Sequence, residues 1–145
     1  MMLTLGSLLA EKEARRKARL AEREEQERQA RERAAEERRL FDDYALTPEE
    51  RGRIERRIRK AFEHGDREVM LLAFPSLYCT DGGRRINHAL PGWEGTLTGA
   101  ARQLHRLWQE ELQPGGFGFA ARIISYPGGM PGDVGLFVTW HETLE

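Results

Sequence analysis

Cysteine is nearly absent. Cys79 stands alone among 145 residues, so no disulfide can form within the chain. A single thiol suits a reducing, cytoplasmic setting. Metal-binding spacing is missing too. Cys79 and the four histidines, His64, His88, His105 and His141, form no C-x-x-C or H-x-x-x-H pattern, and no metal is expected. There is no Walker phosphate loop and no dinucleotide fingerprint, so no cofactor is expected either. Long apolar runs are lacking. The opening MMLTLGSLLA has no basic region before it and leads straight into charge, which predicts neither a signal peptide nor a membrane span. An excess of one charge is also missing: the formal net charge is −1, so bulk electrostatics selects no partner.

Charge is nevertheless abundant and unevenly placed. Residues 11–39 hold 11 Lys and Arg and 9 Glu with almost no large apolar side chains, so this stretch cannot supply core. Residues 11–40 contain no Gly, Pro or β-branched residue, and Ala, Glu, Arg, Lys, Gln and Leu are strong helix formers. Pairs such as Glu13 with Lys17, Glu24 with Arg28 and Glu27 with Arg31 add support one turn apart. Apolar positions for a coiled coil are sparse: alanines recur, but Leu20 and Leu40 are the only large members. The expectation is a charged helix that stands alone or finds a better-patterned partner, with oligomers possible through it. Leu3, Leu5, Leu8 and Leu9 at its start form a candidate docking patch for a protein partner.

After a joint at FDDYAL, Thr47-Pro48-Glu49-Glu50 is a capping box, which predicts a helix from there to about His64 with Gly65 as its stop. Its buried stripe is Ile54, Ile58, Ala61 and Phe62. The other faces carry Arg51, Arg53, Arg56, Arg57, Arg59 and Lys60 against Glu55, a candidate phosphate-backbone contact. EVMLLAF, residues 68–74, reads as a strand buried on both faces. A long connection follows, 76–95, with a helical turn within 81–89. A helix over about 98–112 buries Leu97, Ala101, Leu104, Trp108 and Leu112. The rest is dominated by two strands, 118–126 and 136–140, around a Gly- and Pro-rich loop, and the tail HETLE reads as a frayed end.

This pattern predicts the α/β (α+β) class: a small three-stranded mixed sheet in the order helix, strand, helix, strand, strand, with helices on one face. The domains are 1–46, helix and joint, and 47–145, the compact part. If strands 68–74 and 117–126 run parallel as neighbours or near neighbours, their C-terminal ends share one sheet edge. Loops 75–95 and 127–135 then meet beside the 98–112 helix, a favoured place for ligands. Asp81, Arg84, Arg85, Asn87, His88 and Asp133, with helical N–H groups at 96–100, make a candidate anion site. Cys79 and His88 have no spacing that implies a nucleophile and base, and no catalytic residue is expected.

The segments CTDGGRRIN, PGWEGTLTGAAR and YPGGMPGDVG resemble those of a family of small bacterial proteins. The resemblance covers about residues 66–140 and implies a shared domain, with no activity or site residue to carry over. The element order is also similar to that of the C-terminal domain of bacterial translation initiation factor three, a likeness of order alone. The function expected from the residues is that of a non-enzymatic cytoplasmic adaptor or assembly component. One alternative is an RNA- or DNA-binding module using residues 51–60. The other is an enzyme or sensor that holds a small anion at the loop edge.

Overall fold

The computed structural model describes residues 2–142; residues 143–145 of the tail read as frayed lie outside them. The chain divides into two units, Met1–Leu40 and Phe41–Glu145. Helix α1, Leu5–Asp42, is 38 residues long and buries none of them. At about 1.5 Å per residue it spans roughly 57 Å. Its ion pairs differ from those drawn from spacing. Arginine forks reach back three residues, Arg16 to Glu13 (2.7 Å) and Arg39 to Glu36 (2.5 Å). Arg28 bridges Glu25 and Glu32. The planar guanidinium engages both oxygens of a carboxylate, as Arg16 does with Nε and Nη2, which a lysine cannot do.

In the second unit α2, Pro48–His64, starts and stops where the sequence predicts. Thr47 Oγ1 accepts the Glu50 N–H at 3.2 Å, and Gly65 closes the helix at φ 94°. The capping box is half made, because Glu50 turns its carboxylate to Arg53 and to the Tyr44 hydroxyl instead of reaching back. Ile54, Ile58 and Ala61 are buried, but Phe62, predicted to join them, is 53% exposed.

Strands β1 (Glu68–Pro75), β2 (Gly118–Ile123) and β3 (Asp133–Thr139) form one sheet in the order β1-β3-β2. Both pairings are antiparallel, so the sheet is not mixed as predicted. β3 inserts between the two strands that share a direction. Its even positions, Val134, Leu136 and Val138, are wholly buried. They stand opposite Phe74, Leu72 and Val69 on β1 and Ile123, Ala121 and Phe119 on β2. Helices α2 and α4 (Gly99–Leu107) cover this face: Ile54, Ile58, Ala61, Leu104 and Leu107 share one cluster with Val138 and Trp140.

β1 is covered on one face only, for Met70 and Ala73 are exposed. Its register shifts between Met70 and Leu72, which leaves Leu71 as an extra residue. Such a bulge interrupts the ladder, and Arg57 of α2 compensates by donating to the Leu71 carbonyl (3.1 Å) and the Met70 carbonyl. On the face away from these helices, the Arg122 guanidinium lies 3.8 Å from the centre of the Phe137 ring. Glu68 holds it there through two hydrogen bonds, and Phe137 is thereby buried without a helix above it.

Past Leu107, the helix widens into a π turn, Trp108–Leu112. Gln113 N–H donates to the Trp108 carbonyl, and Trp108 Nε1 donates to the Phe117 carbonyl at 2.9 Å. Against the predicted stripe, Leu107, three residues after Leu104 on the regular helix, is buried, while Trp108 and Leu112 are half-buried.

Candidate functional site

The sheet order brings the two unusual loops together. β1 and β2 both end where β3 begins, since Pro75 faces Asp133 and Ile123 faces Val134. Ser76 N–H donates to the Gly132 carbonyl (2.9 Å) and its hydroxyl to the Pro131 carbonyl (3.2 Å). The Tyr126 hydroxyl donates to Asn87 Oδ1 (3.0 Å). Most polar groups at this edge hold the loops themselves. Asp81 accepts from Gly83 N–H at 3.0 Å and from Arg85 N–H at 2.9 Å, and so opens the one-turn helix α3, Arg84–Asn87. Arg85 Nη1 donates to the Pro91 carbonyl at 2.8 Å. Arg84, His88 and Asp133 are exposed.

The N-terminus of α4 is not open to an anion. Thr98 Oγ1 donates to the Tyr78 carbonyl at 2.7 Å instead of capping the helix. Phe41 lies over the first turn so closely that a Cβ on Gly99 would stand 2.6 Å from its carbonyl oxygen and 2.8 Å from its ring. Gly99 also has φ 49°, which an L side chain adopts only with strain. Of the groups expected to form the anion site, three hold loop structure, and the helical N–H groups lie beneath Phe41.

The basic helix divides in the same way. Arg51 pairs with Glu111, Arg53 with Glu50 (2.6 Å), and Arg57 with the carbonyls of the β1 bulge. Arg56, Arg59 and Lys60 are exposed and make no ion pair among the described residues.

No family model, characterised protein or solved structure matches the chain. The site therefore rests on chemistry alone. Cys79 is a core thiol: burial pushes its pKa up, against a smaller lowering from the Thr96 hydroxyl. A thiol held protonated is a poor nucleophile. Among the described residues no three His, Cys, Asp or Glu side chains gather as a metal would need. No described helix is long and apolar enough to cross a membrane.

One feature escaped the sequence reading. A groove of about 500 Å³ opens between α2 and the π turn, with Phe62, Leu112, Phe117 and Trp140 along its walls and Glu55, Arg59 and His141 as its ionisable groups. Phe62 and Phe117 flank the Trp140 ring at centroid distances of 6.1 and 6.2 Å. The signal was Phe62 at the very end of the α2 stripe, where the sheet beneath it has run out.

Proposed function

We propose that the protein is a non-enzymatic cytoplasmic adaptor that docks to a protein partner through the start of α1. The carrying observation is the placement of apolar side chains on a helix that buries nothing. Leu5, Leu8 and Leu9 are 71%, 41% and 57% exposed, and Leu3 just before the helix is 79% exposed. Positions 5, 8 and 9 follow the i, i+3, i+4 spacing that puts side chains on one helix face, the usual way in which a helix enters a partner's apolar groove. The rest of α1 lacks such a stripe, so it serves as a spacer.

The test compares the full chain with its L5E/L8E/L9E variant by crosslinking and capture of bound protein. One partner should be held by the native chain at high salt and lost by the variant, with helix content unchanged. Identical partner sets for both chains would end this reading.

A second reading, nucleic-acid binding, is favoured by the three unpaired cations Arg56, Arg59 and Lys60. Three phosphate contacts would give a slope of about −2.7 in log affinity against log salt, at about −0.9 per contact. A flat salt response would remove it.

A further inference from the structure

The sheet has two edges, and only one of them is closed. On β1 the bulge at Leu71 breaks the ladder, Arg57 occupies the Met70 and Leu71 carbonyls, and Pro75 ends the strand without an N–H. Bulges, charged side chains and prolines are the means by which proteins keep an edge strand from pairing further. β2 has none of these. It pairs with β3 without a register shift, contains no Pro and no Lys, and holds one charge, Arg122, which Glu68 neutralises.

The hydrogen-bond pattern shows which groups of that edge are free. Ser76 N–H donates to the Gly132 carbonyl and Trp140 N–H to the Arg67 carbonyl, so the even residues of β3 bond towards β1. Its odd residues bond towards β2, as Ile124 N–H does in donating to the Asp133 carbonyl at 2.8 Å. Residues of an antiparallel pair alternate in this way. Gly118, Ala120 and Arg122 therefore bond to β3, and the N–H and C=O groups of Phe119, Ala121 and Ile123 point out of the sheet. These groups make no hydrogen bond among the described residues, and all three residues keep some surface in water.

We propose that a second copy of the chain adds its β2 to this edge, antiparallel, to make one continuous sheet with three strands from each copy. With the two-fold axis at Ala121, Phe119 of each copy bonds to Ile123 of the other and Ala121 bonds to Ala121, so every free group is matched. Charge and side chains fit a copy as well. In that register Arg122 stands opposite Ala120, which staggers the two guanidinium groups, and each has Glu68 of its own chain as counter-ion. Phe119 beside Ile123 is an aromatic and β-branched cross-strand pair, a favourable combination. This inference is independent of docking through α1.

The experiment measures the mass of the full-length protein by sedimentation across a range of concentrations, with amide hydrogen exchange at the same concentrations. Mass should rise from one chain to two, and the amides of Phe119, Ala121 and Ile123 should become protected together with it. Ala121→Pro removes a donor that β3 does not use, so the sheet within one chain stays paired. The dimer should weaken about a hundredfold, for two lost hydrogen bonds at about tenfold each. Ala120→Lys sets a cation opposite Arg122 of the other copy and should weaken the dimer, while Ala120→Glu should tighten it. These two variants carry the test even if Ala121→Pro unfolds. A single chain at every concentration overturns the proposal, and so does a dimer that all three variants leave unchanged. A dimer lost in the L5E/L8E/L9E chain would overturn it by placing the contact in α1. Protection of the three amides only on adding another protein would overturn it in favour of a foreign strand.

Discussion

Arg57 shows how one side chain can pass from a surface charge to a part of the sheet. Its neighbours Arg56 and Lys60 have no such bonds, although all three look alike in the sequence. Arg57→Ala should cost about 1–2 kcal/mol, because the bonds to the bulge carbonyls are charge-assisted but partly open to water. Arg56→Ala should stay within about 0.5 kcal/mol of native, and urea midpoints will separate the two.

His105 is the residue whose pH behaviour can be read. It is half-buried beside Trp93, Trp108 and Phe119, with ring centroids 5.6 to 6.4 Å away. That burial holds its imidazole below the ordinary value of 6.5, against a smaller opposing pull from Glu94. The folded state then binds fewer protons than the unfolded state as pH falls through 6.5. Stability on this account is full at neutral pH and declines as the solution is acidified below that point. His105→Phe should flatten the decline in a series of denaturation curves across that window.

Among the elements, α1 rests on propensity. Its ion pairs are exposed, and pairs of that kind contribute little and are screened by salt. Circular dichroism should therefore show little loss of helix in molar salt. Ala30→Gly should weaken the helix by about 1 kcal/mol, a larger effect than salt has. The elements were largely legible for the same reason. A capping box, a breaker-free run, alternation along β2 and an apolar run at β3 are local signals, and the helix boundaries and exposed leucines followed from them. Pairing is not local. Nothing in EVMLLAF shows that a strand more than fifty residues later will insert beside it, and the assumption that β1 and β2 needed parallel partners made the sheet mixed. The bulge at Leu71 and the π turn after Leu107 were hidden likewise, since each adds one residue to a pattern whose period still looks regular. The groove was lost with them, because Phe62 and Leu112 were counted as core.

For the molecule as a whole, the division into units has a thermodynamic expression. Unit Met1–Leu40 has no buried described residue, while Trp93, Trp108 and Trp140 all lie in the other unit. Cooperative unfolding needs shared buried contacts. Far-ultraviolet dichroism, which is dominated by α1, should decline gradually with temperature. Tryptophan fluorescence should show one sharp transition. Coincident curves from the two probes would show instead that the units melt as one.

The central place of β3 also orders events during synthesis. A growing chain makes residues 5–40 before any strand of the sheet, and these can coil into helix as they leave the ribosome. β1 and β2 follow, yet neither has a neighbour to bond with until residues 133–139 are made, because every strand pairing passes through β3. Through that interval the nascent chain carries two unpaired strands and their apolar faces, so chaperones and proteases meet this domain at its most vulnerable just before translation reaches the strand that closes the sheet.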